Sequence, residues 1–245
     1  ARQMQPDDPK SWENRALALE YLQRPHESRK AYEEALASYN DKLKLNSSTD
    51  LQVLVNRARV LGKLQRPQDA LASYEEAIKI NPNFFPAWVG KGSTLFFAQQ
   101  PEEALKAYDK ALEIRPKSYL SRHNRGSLLA AMQRPEEAIK DYDKALDIQD
   151  NFYPALRDRG FAFLQLQRPQ DALSSFNKAL KFETQDRKSW VGRGIALQEL
   201  KRNNEALAAF DKALSIEPND PVALLHRGLT LEGMQRNEDA LKAYN

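Results

Sequence analysis

Apolar residues along this chain return every three or four positions, in paired bursts separated by short polar turns. One pair runs through Trp88, Val89, Gly92, Leu95 and Phe96 and then Ala104, Leu105, Tyr108, Ala111 and Leu112. Steps of three and four put each burst on a single helical stripe, so the segment predicts two helices joined at Gln99-Gln-Pro101. The same joint recurs at Gln23-Arg-Pro25, Gln65-Arg-Pro67, Gln133-Arg-Pro135 and Gln167-Arg-Pro169. Proline suits the first position of the second helix, where its missing N–H has no partner to lose. Glu102, Glu103, Glu136 and Glu137 follow it, where the helix dipole favours negative charge. The last two joints carry Asn203 and Asn237 instead, expected here as capping residues. Asp8, Ser118 and Asp220 are expected to cap first helices.

The pairs are copies of one unit. Ala70, Ala104, Ala138, Ala172, Ala206 and Ala240 recur at a spacing of 34 residues. Four residues after each comes a ring (Tyr74, Tyr108, Tyr142, Phe176, Phe210, Tyr244), and three residues further a second alanine (Ala77, Ala111, Ala145, Ala179, Ala213). First helices hold a small residue in register: Ala16, Ala58, Gly92, Gly126, Gly160, Gly194 and Gly228. Glycine inside a helix costs about 1 kcal/mol against alanine. Its return at five registered positions therefore predicts close helix–helix approach rather than a phosphate loop. A fixed period of this length marks a stacked repeat, in which each unit is stabilised by its neighbours.

The order Trp88, Gly92, Leu95, Ala104, Tyr108, Ala111, Pro116, repeated as Trp190, Gly194, Leu197, Ala206, Phe210, Ala213, Pro218, resembles the tetratricopeptide repeat. The resemblance covers nearly the whole chain, read as one array over 1–245. Its units are about 9–50 with an insertion, then 51–84, 85–118, 119–152, 153–186, 187–220 and an incomplete 221–245. In the first unit Trp12, Ala16, Leu19, Tyr32 and Ala35 match, whereas Ser28 replaces the first alanine. The extra residues, about 43–50, predict a longer second helix and a loop at Asn46-Ser-Ser-Thr-Asp50. The resemblance implies an all-α fold, an α-solenoid of antiparallel helix pairs wound as a right-handed superhelix with first helices on the concave side. A chain ending inside a second helix is expected to be a fragment of a longer protein, with 235–245 fraying. Asn-Arg-Gly at 124–126 and Tyr-Asp-Lys-Ala-Leu at 108–112 and 142–146 are similar to bacterial members of the family, cyanobacterial ones among them.

Composition narrows the chemistry. The 245 residues carry 37 Lys and Arg against 34 Asp and Glu, a net charge of only +3. Such balance argues against a dedicated nucleic-acid or membrane-surface protein. There is no cysteine, which removes disulfides, thiolate metal sites and cysteine nucleophiles. The first residues lack a signal-peptide core, which favours the cytoplasm over secretion. His26, His123 and His226 lie in different units, with no metal-ligand spacing around them. No catalytic set, cofactor or metal is expected.

Two registered columns remain. Arg15, Arg57, Lys91, Arg125, Arg159, Arg193 and Arg227 precede the small position in every unit. They either track a nucleic-acid backbone or pair with second-helix acids of the same period: Glu33, Glu75, Asp109, Asp143 and Asp211, with Asn177 and Asn245 in line. Pairing is the preferred reading. By the family's geometry, the residues two before the small position face the groove: Asn14, Asn56, Gly90, Asn124, Asp158, Gly192 and His226. Asparagine there can donate to and accept from the backbone of an extended peptide. Phe96, Phe97, Ala130, Ala131, Phe161 and Leu164 are expected on or near the same groove, flanked by His123, Arg157, Arg187 and Lys188 as complements to an acidic ligand.

The expected partner surface is thus Asn56, Phe96, Phe97, Asn124, Arg157, Asp158, Phe161, Leu164 and Lys188. It would serve a non-catalytic scaffold that binds another protein or an extended peptide. The Lys and Asn pair that family members use to hold chaperone C-termini has no counterpart at Glu13/Leu17, Val55/Arg59, Val89/Ser93 or His123/Ser127, so a chaperone tail does not fit. The alternatives are the repeat region of a larger enzyme, a glycosyltransferase or kinase whose catalytic domain lies outside this chain, and nucleic-acid binding through the arginine column.

Overall fold

A computed structural model describes residues 8–45 and 49–244. Among them are the helices α1 (Pro9–Tyr21), α2 (Pro25–Leu45), α3 (Leu51–Lys63), α4 (Pro67–Ile80), α5 (Phe85–Phe97) and α6 (Pro101–Ile114). Then come α7 (Tyr119–Ala131), α8 (Pro135–Ile148), α9 (Tyr153–Gln165), α10 (Pro169–Phe182), α11 (Arg187–Glu199), α12 (Asn203–Ile216), α13 (Pro221–Gly233) and α14 (Asn237–Tyr244). No strand occurs among the described residues. The fold is all-α, built from paired helices. The insertion lengthens α2 to 21 residues, against 14 in α4. Asn46, Ser47 and Ser48 of the expected loop, and Asn245, lie outside the described residues.

The chain divides into two compact units, Ala1–Pro116 and Lys117–Asn245. In each, a helix packs on its neighbours in sequence. First helices also meet one another: α3 with α5 in the amino-terminal unit, and α7 with α9, α9 with α11 and α11 with α13 in the carboxy-terminal one. No pair of second helices is in comparable contact among the described residues. Within each unit, then, the first helices occupy the tighter side.

The periodic positions are the core. Ala70, Ala104, Ala138, Ala172 and Ala206 are fully buried, as are Ala77, Ala111, Ala145, Ala179 and Ala213, with the rings of Tyr74, Tyr108, Tyr142, Phe176 and Phe210 between them. The helical glycines explain why the rings fit. A Cβ on Gly92 would stand 2.9 Å from the Tyr108 ring, and one on Gly160 would stand 2.7 Å from Phe176. Both distances are below ordinary van der Waals contact, so the ring occupies the space that glycine leaves.

Helix ends depart from expectation in two ways. Ser118 and Asp220 do accept from the backbone N–H of Ser121 and Ala223, and Asp50 and Asp186 cap α3 and α11 similarly. Asp8 makes no cap bond to the backbone; its carboxylate instead accepts from the Ser11 hydroxyl at 3.2 Å. Asn203 is the first residue of α12 rather than its cap, which is Arg202. An arginine cap can offer the N-terminus no acceptor, but its guanidinium binds the acid three residues on, as in Arg202–Glu205, Arg134–Glu137 and Arg168–Asp171.

Every first helix ends on a residue in the left-handed region, and none of these is glycine: Gln23, Gln65, Gln99, Gln133, Gln167, Lys201 and Gln235, with φ between 54° and 61°. The turn demands it. The Gln133 N–H donates to the Ala130 carbonyl and that of Arg134 to Leu129, the paired bonds of a Schellman closure. A non-glycine residue in that conformation carries roughly 1 kcal/mol of strain. Gln133→Gly is therefore expected to stabilise the chain slightly, by up to about 0.5 kcal/mol after the added flexibility of the unfolded state is subtracted. Urea denaturation followed by circular dichroism checks this, and a loss of stability would contradict it.

Candidate partner-binding surface

The side of the amino-terminal unit formed by first helices carries an open apolar feature. A cavity of ≈ 660 Å³ lies between α3 and α5, walled by Arg59, Gly62 and Lys63 on one side and Gly90, Thr94 and Phe97 on the other. Two absences of side chain make it. A Cβ on Gly62 would meet nothing within 4 Å, and one on Gly90 would overlap the Tyr74 ring, so Tyr74 lies directly against the Gly90 backbone. Phe97, the last residue of α5, is 85% exposed, whereas Phe96 beside it is half-buried. Consecutive helical residues point about 100° apart, so only one of the two can join the core stripe.

The charged groups lining this cavity are both cations. Arg59 donates to Glu13 at 2.6 Å, and Glu13 also accepts from the buried hydroxyl of Tyr39. Lys63 reaches Glu20 at 3.1 Å and lies over the Tyr32 ring. Burial pushes the Tyr74 phenol above its ordinary range, so the wall it forms stays neutral.

Asn56 lies on α3 but is 5% exposed and accepts from the Gln52 side chain at 3.1 Å. Its amide is turned into the packing, away from any ligand. Three other members of the column two before the small position abut the ring of the preceding second helix. Gly90 lies on Tyr74, Gly192 on Phe176, and the His226 ring stacks on Phe210 at 5.9 Å. Burial also lowers the His226 pKa, which keeps that imidazole neutral as it bonds Gln198.

In the carboxy-terminal unit the expected surface residues lie on α7, α9 and α11. Asn124 is half-buried and Lys188 exposed. Phe161 packs edge-on to Phe176 at 5.0 Å, and it and Leu164 are partly buried against the core. Asp158 accepts from His123 and from Arg157, each at 2.8 Å. Burial acts to raise its pKa, but those two bonds outweigh it and hold the carboxyl below its usual value. Arg157 lies 3.5 Å from Asp186, while Arg187 pairs with Glu217 and Asp220. Of the four cations expected to complement an acidic ligand, His123, Arg157 and Arg187 are therefore already compensated by acids of this chain.

The basic column also meets acids of this chain. Lys91 bonds Glu75, Arg159 bonds Asp143 and Arg227 bonds Asp211, each acid lying sixteen residues earlier on the preceding second helix. Arg57 takes Glu76 and Arg125 takes Asp141, both later in the chain, and Arg15 lies over the Trp12 ring. Glu33 pairs with Arg29. Among the described residues no cluster of three or more His, Asp or Glu side chains is arranged to hold a metal, and no helix is long and apolar enough to cross a membrane.

Family models described as tetratricopeptide repeat match residues 7–83, 55–119, 89–154, 123–188 and 188–220. No curated protein matches the sequence significantly. Among solved structures, YrrB, described as a tetratricopeptide repeat protein with an unusual peptide-binding site, is 22% identical with a TM-score of 0.62, covering 76% of this chain and 95% of its own. PilW, described as a type IV pilus biogenesis factor, is 21% identical with a TM-score of 0.72 over 79% of this chain and 90% of its own. A tetratricopeptide repeat protein from Parabacteroides merdae is 17% identical with a TM-score of 0.70 over 96% of this chain and 90% of its own. At these identities the likeness is one of fold.

Proposed function

The chain belongs to the tetratricopeptide repeat family, and from that premise we propose that it is a non-catalytic interaction scaffold. It takes an extended peptide, or an extended segment of a partner protein, on the first-helix side of its amino-terminal unit. The observation that carries this is Phe97, a phenylalanine 85% exposed at the rim of an apolar cavity. A large ring held in water on a concave side is a poor contribution to stability and a good one to binding. An incoming apolar side chain would cover Phe97 and the open floor at Gly62. The hydroxyl of Thr94 and the cations Arg59 and Lys63 are placed to orient the rest of the segment. YrrB, described as having a peptide-binding site, agrees with that class of ligand.

Peptides selected from a displayed random library against the whole chain test the assignment. Phe97→Ala is expected to weaken the selected peptides by roughly thirtyfold or more, the usual loss when a central aromatic anchor is truncated. Its melting temperature should stay that of the parent, because the ring is outside the core. Peptides that bind Phe97→Ala as well as the parent would overturn the assignment.

A further inference from the structure

The repeat supplies its own internal control for a second site, in the carboxy-terminal unit. At the seam where a second helix meets the next first helix, a basic residue faces an acid sixteen residues earlier: Lys91 with Glu75, Arg159 with Asp143, Arg227 with Asp211. At one seam of the carboxy-terminal unit the acid is missing. Arg193 meets Asn177 there, its Nε donating to the amide oxygen at 2.9 Å.

The neighbouring positions widen the difference. A cavity of ≈ 390 Å³ opens beside Arg193 between α10 and the start of α12, and Ser174, Asn177, Lys178, Lys181 and Arg202 line it with no acid among its walls. Positions matching Asn177, Lys178 and Lys181 are Glu75, Glu76 and Lys79 at one seam, Asp143, Lys144 and Asp147 at another, and Asp211, Lys212 and Ser215 at a third. Each of those seams has at least one acid at these three positions, and this one has none. Glu205, on α12 beside the cavity wall, holds Arg202 with both oxygens, at 2.7 and 2.8 Å. Among the described residues Lys178, Lys181 and Arg193 thus form no direct ion pair with a carboxylate. Arg193 is also half-buried with its guanidinium over the Trp190 ring, and desolvation holds its pKa below the ordinary arginine value. Glu205 acts on Arg193 through its charge but is bonded to Arg202, and a cation desolvated with only a shared countercharge nearby is an unfavourable arrangement that an incoming anion relieves.

We infer that this seam binds a phosphoryl group, its oxygens taken by the terminal nitrogens of Arg193 and by the ammonium groups of Lys178 and Lys181. A tetrahedral dianion matches the site better than a single carboxylate does. It carries close to two negative charges at neutral pH and offers three acceptor oxygens to donors that converge from two helices. The Ser174 hydroxyl and the Asn177 amide N–H add neutral donors on the same wall. The site draws on α10 and α11 and shares no lining residue with the groove around Phe97.

The test adds inorganic phosphate to the full chain at constant ionic strength, with chloride as the control, and follows the Arg193 Nε–H resonance and the Lys178 and Lys181 side chains by NMR. A saturable shift at all three is expected, with none at Arg159 or Arg227. Asn177→Asp writes the missing acid back into the seam. It should weaken phosphate by at least about tenfold and, in chloride, raise the melting temperature, which shows that the variant is folded. A second arm compares a phosphoserine peptide with its unphosphorylated form. Binding at least about tenfold tighter than phosphate assigns the group to a phosphorylated protein segment, and equal affinity assigns it to the free ion. The inference is overturned by the absence of a saturable shift, by shifts of equal size at the Arg159 and Arg227 seams, or by Asn177→Asp binding phosphate as the parent does.

Discussion

Replacing Phe176 by alanine is expected to cost about 3–5 kcal/mol, the range for truncating a fully buried aromatic residue. The ring is 0% exposed and is gripped by two helix pairs. Gly160 of its own pair lies so close that a Cβ there would stand 2.7 Å away, and Gly192 of the next pair lies closer still to the same Cε1–Cζ end of the ring. Phe161 closes it edge-on. Removing the ring therefore loosens the α9–α10 pair internally and also loosens its contact with α11. In a stacked array the second loss matters as much as the first, since each unit is stabilised by nearest-neighbour interfaces. Equilibrium urea unfolding measures the total. A double-mutant cycle isolates the mechanism. Gly192→Ala alone should destabilise by forcing its methyl into the ring, whereas in the Phe176→Ala background the same methyl fills vacated space and should be neutral or stabilising. Additive effects in that cycle would mean that Gly192 and Phe176 are not packed as described.

Much of this arrangement was legible in the sequence because the repeat writes it several times. The buried alanine columns, the rings between them and the registered glycines all follow from one requirement, that two helices approach closely enough to share a ring. Where the physics is set by a turn instead of a stripe, hydrophobic periodicity says less. The left-handed residue that ends each first helix is invisible to it, because Gln is not a residue that signals positive φ. Only the recurring turn context, Gln-Arg-Pro or Gln-Gln-Pro at five of the seven joints, read as a Schellman closure, would have revealed it. The arginine caps were hidden in the same way. Acids in the first turn of α8 are explained by the dipole alone, although Arg134 binds Glu137 with two nitrogens.

Site residues were legible in proportion to how little they depended on the neighbouring pair. Adjacent phenylalanines on one helix cannot both face its core stripe, and Phe97 is the one left in water. Asn56 failed that criterion: periodicity gives the direction in which a side chain leaves its helix but not what the preceding pair has placed there. At Gly90, Gly192 and His226 of that column the occupant is a ring, and of its asparagines Asn56 is buried while Asn124 is half-buried. His123 and Arg157 are expected as flanks of the groove, but with Asp158 they form one hydrogen-bonded group, a contact between neighbouring pairs that periodicity does not reveal.

The opposite error concerns Asp141, which no periodic argument picked out and for which the second large effect is expected. Its side chain is 2% exposed and is held by Arg125 through two bonds, at 2.6 and 2.9 Å, with Arg122 a further 3.4 Å away. Asp143, two residues on, belongs to the acid column, pairs with Arg159 at 2.6 Å, and is 48% exposed. The two acids form similar ion pairs in different media, and solvent decides their worth. Half-exposed in water, the Asp143 pair is screened, so Asp143→Ala should change stability by no more than about 1 kcal/mol. Asp141→Ala removes a carboxylate on which two largely buried arginines converge, and breaking such a group costs about 3–5 kcal/mol. A value near the lower end is expected, because Arg122 and Arg125 keep 17% and 23% of their side-chain exposure and so recover some hydration. Asp141→Asn, which keeps the shape and one acceptor oxygen, should fall between the two. Chemical denaturation of the three variants side by side measures the order. Equal losses for Asp141→Ala and Asp143→Ala would refute the claim that burial, and not the presence of an ion pair, determines which acid of α8 this unit depends on.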